Sequence, residues 1–194
     1  VRIPPELERI ASDEYATFKK FFHWFLEFPE VFQNGGFDCI LGNPPFLNGL
    51  KITEFYGDSM NLYLVNRYKG GSKKVDLCAY FFRRDYEIIN EYGFFSLIST
   101  NTISQGKTRE GGLDVITKNG AQIIFASKSV QWPGNAAVVI SLTSLTKRNT
   151  EYERVLNNKK VSFINSYLDD EDESEIPHRL RRNNNRCYQG SNPY

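Results

Sequence analysis

The sequence predicts an α/β fold whose parallel sheet ends in an antiparallel hairpin. Helix-like and strand-like segments alternate along the chain, and the strand-like segments are short apolar runs without polar alternation. Such alternation implies right-handed crossovers between parallel strands. The last two strand-like runs are only about ten residues apart, which is too short for a crossover helix, so that pair is expected to be antiparallel.

The first half of the chain contains a helix, a strand and a second helix. Ser12 can cap a helix over residues 12–28, where aromatic residues recur at spacings of three and four. A turn at Gly35-Gly36 leads into a strand over 37–41, which is expected to be covered on both faces. Two prolines then open a loop-rich stretch, and the next helix is expected over 76–93.

The second half continues the pattern and then changes composition. A strand is expected over 94–98, a helix over 109–119, and the hairpin strands over 121–126 and 136–145. The chain then turns polar, with an acidic run, DDEDESE, followed by a basic run, HRLRRNNNR. We therefore expect one domain over 1–148 and a linker into a second domain over 149–194.

Composition excludes several classes of function. The formal charge of +1 gives no global field for polyanions, so a nucleic-acid site must come from local clustering. Three cysteines without a Cys-x-x-Cys pair favour a reducing cytoplasm over a disulfide framework. No signal peptide or apolar run of about 18 residues is present. His23 and His178 are isolated, so no metal site is predicted.

The stretch FDCILGNPPF runs from the first strand directly into Asn43-Pro44-Pro45-Phe46. Neither proline has an N–H, so the strand must stop there, at the carboxyl end where α/β sheets bind ligands. One interpretation is structural: Asn-Pro starts a turn and Phe46 packs. The other is functional: the Asn43 side-chain oxygen and the Pro44 carbonyl are two acceptors, which the prolines hold in fixed directions.

Two converging acceptors suit an amino group with two hydrogens, such as that of adenine. The lone pair of this nitrogen is delocalised into the ring, and accepting both hydrogens draws the nitrogen towards tetrahedral geometry and localises the pair for attack. Phe46 offers a flat face for stacking, worth about 1 to 3 kcal/mol per base. No proton has to leave before attack, so the lack of a histidine or carboxylate in the motif does not argue against catalysis.

GNPPF after FDCIL resembles the catalytic motif of adenine-specific DNA methyltransferases, which use S-adenosyl-L-methionine (SAM). Three further strings extend the resemblance across 20–146: HWFLEFPEVF, DLCAYFFRRDYEIINEYGFFSLISTNTISQGKTREGGLD and WPGNAAVVISL. They resemble the methyltransferase portion of type IIG restriction–modification enzymes, including the MmeI-like branch. The resemblance implies methyl transfer to the exocyclic amino group of an adenine flipped out of double-stranded DNA.

The resemblance also implies roles for individual residues. Asn43 and Pro44 hold the amino group and border the SAM site, while Pro45 completes the rigid turn. Phe46 stacks on one face of the base and Trp132, in the hairpin loop, on the other. The alternative for Trp132 is a buried indole that anchors its loop.

Basic side chains near this edge are candidates for phosphate contact. Lys107 and Arg109 follow the 94–98 strand, although a solvated loop is an equally good interpretation. Arg179, Arg181 and Arg182 have the composition of a segment that contacts the DNA backbone. The alternative for these three is a disordered tail neutralised by the preceding acidic run.

The resemblance also shows what the chain lacks. Related enzymes bind SAM with a Gly-rich turn and an acidic residue after their first two strands, and neither feature occurs here. We therefore expect an internal fragment: the C-terminal half of a Rossmann-like class I methyltransferase sheet, unable alone to bind SAM tightly or methylate DNA. Residues 149–194 would lead into a target-recognition domain, and a fused nuclease would lie elsewhere.

Two other functions stay open at this point. Asn-Pro-Pro-aromatic motifs also serve methyltransferases that act on RNA or on protein glutamine. The chain could instead be a non-catalytic remnant that binds nucleic acid or a partner chain.

Overall fold

A computed structural model of the chain describes residues 22–133, 138–148 and 152–171. The strands in these ranges are β1 (Phe37–Gly42), β2 (Ile89–Thr100), β3 (Gln122–Gln131), β4 (Val139–Thr146), β5 (Arg154–Leu156) and β6 (Lys159–Val161). The helices are α1 (Trp24–Glu27), α2 (Pro29–Gln33), α3 (Gly49–Tyr56), α4 (Asp58–Arg67), α5 (Leu77–Ile88), α6 (Gly106–Gly111) and α7 (Leu113–Lys118), with a 3₁₀ turn at Asn101–Ser104. None of these helices is long and apolar enough to cross a membrane.

The strands form one mixed sheet in the order β1-β2-β4-β3-β5-β6. β1 and β2 are parallel, with Ile40 opposite Phe95. β4 is antiparallel to both β2 and β3, and it separates them. The predicted α/β class, the parallel start and the antiparallel hairpin are therefore confirmed. The carboxyl ends of β1, β2 and β3 therefore all lie at the same end of the sheet.

The core lies between this sheet and α5. Phe82 of α5 and Phe95 of β2 are both completely buried, with ring centroids 6.0 Å apart. Leu113 and Ile116 of α7 and Leu145 of β4 belong to the same apolar cluster. Burial of each such side chain contributes about 1.5–3 kcal/mol relative to exposure. This cluster fixes the strand ends against the helices that follow them.

Two predicted helices have different bounds in the structure. The helix expected over 76–93 ends at Ile88, because Ile89 already starts β2. The helix expected over 109–119 is two short helices broken at Gly112. A Cβ at Gly112 would lie 2.8 Å from the Cβ of Ala79 and 2.9 Å from the carbonyl oxygen of Thr108, so this position is a close crossing with α5.

The stretch after the prolines, which was expected to be loop-rich, contains the helices α3 and α4. The side-chain oxygen of Asn48 accepts a hydrogen bond from the Lys51 N–H at 3.0 Å and caps α3. Asn61, which is 2% exposed, donates to the carbonyl of Gly49 at 3.1 Å and to Thr53 Oγ1 at 2.9 Å. These asparagines therefore cap one helix and tie α3 to α4.

The apolar run of β1 predicted a strand covered on both faces, but one face of β1 is open. In the described part of the chain it lies at the edge of the sheet and pairs with β2 alone. Asp38 and Cys39 are exposed, and Leu41 keeps 76% of its surface accessible. Ile40 packs against the core and Phe37 against the rings of Trp24, Phe28 and Phe32, so the open surface of this strand is formed by Cys39 and Leu41.

The sheet also continues past the domain boundary expected near residue 150. β5 pairs in parallel with β3, with Val155 opposite Phe125, and turns back into β6. Leu156, Ile164 and Leu168 join the core cluster, so 152–171 does not behave as a linker. The start of the predicted 12–28 helix lies outside the described residues, as do Arg179, Arg181 and Arg182.

Candidate active site at the carboxyl ends of the strands

The Asn43–Phe46 loop leaves the carboxyl end of β1, where Gly42 pairs with Leu97. Pro44 is buried, whereas Asn43 and Pro45 are exposed. Phe46 keeps 36% of its surface accessible, so part of the residue is open to solvent. The chain then tightens, since the Leu47 N–H donates to the carbonyl of Pro45 at 3.1 Å.

A cavity of about 330 Å³ adjoins Asn43 on the open face of the sheet. Leu41 and Ser96 are paired across β1 and β2 and contribute to its wall. The complete lining is Leu41, Gly42, Asn43, Ser96, Leu97, Ile98 and Leu142. The wall is therefore mostly aliphatic, with the Asn43 amide at its rim.

The start of α5 supports the loop from behind. The Leu77 N–H donates to the carbonyl of Leu47 at 2.8 Å. The buried carboxylate of Asp76 accepts from the hydroxyl of Thr102 at 2.5 Å, and its backbone N–H donates to Thr108 Oγ1 at 3.2 Å. Leu77 thus holds the chain directly after Phe46, and its neighbour Asp76 holds the 3₁₀ turn and α6, which follow β2.

A second polar centre lies directly at the end of β2. The side-chain oxygen of Asn101 accepts from Ser129 Oγ at 3.0 Å and Ser141 Oγ at 3.2 Å, so it links β2 to β3 and β4. Sequence reasoning did not single out Asn101, Asp76 or Thr102. The run STNTIS directly after an apolar strand is the signal that could have identified this cluster.

Cys78 lies beside this cluster but cannot serve as a nucleophile. Its sulfur is 4.0 Å from Thr100 Oγ1, and the side chain is 1% exposed. Burial raises the pKa of the thiol to about 12, so it stays protonated at neutral pH. Cys78 packs as a small apolar residue.

Trp132 follows β3 in the β3–β4 hairpin, at the end of the sheet where β1 and β2 also have their carboxyl ends. Its backbone N–H donates to the carbonyl of Val138 at 2.9 Å, and its side chain is half-buried. β2 and β4 separate β1 from β3, so β1 and β3 are about 14 Å apart. Phe46 and Trp132 therefore lie at the same end of the sheet, and their rings are not in contact with each other.

Arg109 does not lie on the rim, where sequence reasoning placed it. It is 9% exposed, and its guanidinium is 3.3 Å from Asp114, donates to Ser166 Oγ at 2.6 Å and lies 3.8 Å from the ring centre of Tyr167. These partners use the charge inside the protein, so we no longer count Arg109 as a phosphate ligand. Lys107 is exposed, but it pairs with Glu110 at 2.5 Å.

Nothing in the described residues resembles a metal centre. Within 22–133, 138–148 and 152–171, no group of three or more His, Cys, Asp or Glu side chains could hold an ion.

Comparisons with known proteins agree with this arrangement. The family model described as Eco57I restriction-modification methylase matches residues 2–132. DNA methyltransferase A of Bacillus subtilis (strain 168) is 28% identical over 139 residues, which are 68% of this chain and 16% of that protein. A solved structure of the Type IIL restriction-modification enzyme MmeI in complex with DNA matches with a TM-score of 0.58 and 25% identity, over 70% of this chain and 20% of that one. The chain thus spans a fifth or less of the length of either relative.

Proposed function

The chain belongs to the Eco57I restriction-modification methylase family, and we propose that it forms the target-base side of an adenine-specific DNA methyltransferase. The reaction would transfer a methyl group from SAM to the exocyclic amino group of adenine in double-stranded DNA. The observation that supports this proposal is the exposed Asn43 in the lining of a cavity at the end of β1, followed in the same loop by the partly exposed Phe46.

In this proposal the chain activates the amino nitrogen through its acceptors. Asn43 Oδ1 and the Pro44 carbonyl each accept one N–H of the adenine amino group, which localises the nitrogen lone pair. Buried Pro44 and its neighbour Pro45 hold the acceptors in place, so little reorganisation accompanies attack. The proton leaves only after the new bond forms, so no side chain in the loop has to act as a base.

Phe46 and Trp132 would enclose the flipped base. Extrusion of a base costs a few kcal/mol of lost stacking, and aromatic contact returns about 1 to 3 kcal/mol per base. The two residues leave the same sheet edge from strands about 14 Å apart, which leaves room for a base between their loops.

SAM, when bound, supplies an electrophilic methyl group on a sulfonium. The cavity beside Asn43 suits the methyl end of such a molecule, with Asn43 in its lining and aliphatic side chains around it. No carboxylate lines this cavity among the described residues. We therefore expect this chain alone to bind SAM weakly, and a micromolar constant from isothermal titration would contradict that expectation.

The DNA partner is supported by likeness to MmeI, whose solved structure is a complex with DNA. A target-recognition domain would follow residue 171, because 152–171 is part of the sheet described above. We retain Arg179, Arg181 and Arg182 as proposed backbone contacts in that later segment. A nuclease fused to the same polypeptide would complete a restriction–modification enzyme.

The test is methyl transfer by the natural full-length polypeptide that contains this sequence. Asn43→Ala should lower kcat by at least about 100-fold, as expected when a preorganised polar group is removed from a transition state. Asn66→Ala, an exposed asparagine on α4, is the matched control and should retain full activity. Mass spectrometry of digested DNA should detect N6-methyladenine.

Other results would replace the proposal. Methylated RNA or methylated protein glutamine in the same assay would identify another planar amino group as the acceptor. Full activity in Asn43→Ala would exclude the mechanism described above. No transfer by the wild type to any of these acceptors would favour a non-catalytic role in nucleic-acid binding.

A further inference from the structure

Three lysines lie close to the candidate active site, and we call them the lysine surface: Lys51, Lys73 and Lys74. Lys51 is in the first turn of α3, five residues after Phe46 in the chain. Lys73 and Lys74 form the turn that precedes α5. The two segments touch, since a Cβ at Gly49 would lie 2.1 Å from the carbonyl oxygen of Lys73 and 2.8 Å from the Cα of Lys74.

This surface has a rigid support. Directly after Lys74, Val75 is 1% exposed and Asp76 is 9% exposed, so the turn is anchored in the core. The hydrogen bond from Leu77 to Leu47 then ties the same segment to the end of the Asn43–Phe46 loop. The backbone that carries the lysines is therefore fixed relative to the proposed base pocket.

The charges of the lysine surface are available to a ligand. All three residues are exposed, and Lys51 and Lys74 have no carboxylate within 4.0 Å in the described part of the chain. Lys73 lies 3.9 Å from Asp58, with side-chain exposures of 58% and 74%. Glu54, three residues after Lys51, is the carboxylate of α3. An exposed ion pair such as Lys73–Asp58 contributes about 0–1 kcal/mol to stability, so Asp58 holds Lys73 only weakly.

We propose that the lysine surface binds the sugar–phosphate backbone of duplex DNA next to the target nucleotide. The proposal rests on the proposed function, because it takes DNA as the substrate. It adds a second surface to the phosphate candidates taken from the sequence, of which Arg109 is buried and Lys107 is exposed and pairs with Glu110. Lysines that neutralise phosphates carry no sequence information, so the surface positions the duplex and leaves base recognition to other segments.

Counterion release gives this proposal a quantitative signature. Each phosphate that a protein neutralises on B-DNA contributes about 0.9 to the slope of log K against log salt concentration. Loss of three lysine contacts should therefore reduce the magnitude of that slope by about 2 to 3. A change in folding or in base pocket geometry would not alter the slope in this way.

The experiment measures fluorescence anisotropy of a labelled DNA duplex with the natural full-length polypeptide that contains this sequence, between about 50 and 200 mM salt. The test variant carries Lys51→Gln, Lys73→Gln and Lys74→Gln. The control variant carries Lys118→Gln, Lys159→Gln and Lys160→Gln, which remove the same charge at the end of α7 and in β6, at the opposite edge of the sheet from β1. Thermal melts verify that both variants fold.

We expect the test variant to bind at least tenfold more weakly, with the reduced slope, and the control to bind like the wild type. Equal effects in both variants, an unchanged slope in the test variant, or no duplex binding by the wild-type chain would each overturn the proposal. Binding of an RNA hairpin without binding of the DNA duplex would overturn it as well.

A second measurement separates this proposal from the proposed function. In the full-length polypeptide the lysine variant should raise the KM for DNA and leave kcat unchanged at saturating DNA. Asn43→Ala should instead lower kcat and leave DNA affinity unchanged. Failure of the lysine result alone leaves the methyltransferase proposal intact, and failure of the Asn43 result alone leaves the DNA-binding surface intact.

Discussion

The backbone N–H of Leu77 donates a hydrogen bond to the carbonyl of Leu47 across 2.8 Å. Leu47 directly follows the Asn43–Phe46 loop, and Leu77 is the first residue of α5, which packs on the sheet. One backbone hydrogen bond thus couples the position of the candidate catalytic loop to the start of the central helix.

Leu77→Pro tests this coupling. Proline fits the first position of a helix, and the extended backbone of Asp76 (φ −70°, ψ 148°) suits a residue before proline. The substitution deletes the N–H and keeps the helix. Relative to Leu77→Ala, which retains the N–H and also truncates the buried side chain, Leu77→Pro should cost about 1 kcal/mol more in urea unfolding. It should also lower methyl transfer by the full-length polypeptide further than Leu77→Ala, and equal activities would contradict the coupling.

Gly49→Ala should destabilise the protein, although alanine favours helices over glycine by about 1 kcal/mol. The new Cβ would lie 2.1 Å from the carbonyl oxygen of Lys73, and both nearest neighbours are backbone atoms that cannot rotate away. We expect a net loss of about 1–3 kcal/mol in the free energy of unfolding. Leu50→Ala, at a side chain that is 80% exposed, is the control and should change stability by less than about 0.5 kcal/mol.

Arg109→Ala should cost about 2–3 kcal/mol, because Asp114, Ser166 and Tyr167 all lose a partner. Arg109→Lys should recover little of this, since an ammonium lacks the planar fork and the stacking face. The measurement is chemical denaturation, with Lys107→Ala as a surface control worth about 0–1 kcal/mol. A salt slope for DNA binding that falls in Arg109→Ala would show that this residue does contact phosphate.

Asp85→Asn should stabilise the protein at neutral and alkaline pH. Burial raises the pKa of Asp85 from its ordinary 3.8 to about 7. Between these two values the unfolded chain ionises Asp85 while the folded chain keeps it protonated, so wild-type stability falls as pH rises through this window and levels off above it. The difference between the two pKa values corresponds to a loss of about 4 kcal/mol in the free energy of unfolding.

The measurement for Asp85→Asn is the free energy of unfolding as a function of pH. The difference from the wild type should be small near pH 4, grow up to about pH 7 and then stay constant. Glu91→Gln, at an exposed carboxylate in β2, is the matched control and should show no such growth. A constant difference at all pH values would mean that the buried carboxyl does not titrate as proposed.

Local patterns in the sequence predicted the elements that depend on local chemistry. The two prolines after β1 end the strand wherever its partner lies, and the gap between β3 and β4 leaves room only for a hairpin. The sequence carries a comparable signal for the β5–β6 hairpin. Its turn is Asn157-Asn158, at φ 49° and 64°, and asparagine is one of the few residues that tolerate the left-handed region.

The remaining differences depend on contacts between distant parts of the chain. Arg109 looked like a rim residue because its buried partner Ser166 is 57 positions away. The helices α3 and α4 lie in a stretch expected to be loop-rich, and the hydrogen bond from Asn61 to the carbonyl of Gly49 that joins them spans 12 positions. A pattern confined to neighbouring residues cannot register such partners.

The place of β4 between β2 and β3 sets the order in which the sheet can assemble. β2 and β3 share no hydrogen bonds, so the β1–β2 pair and β3 stay separate until Val139–Thr146 has left the ribosome. β4 then pairs with β2, and the most distant pair, Phe94 with Thr146, is 52 positions apart in the chain. Pairing over such a distance is intrinsically slow. During synthesis the nascent chain therefore carries exposed strand edges that a chaperone would have to protect.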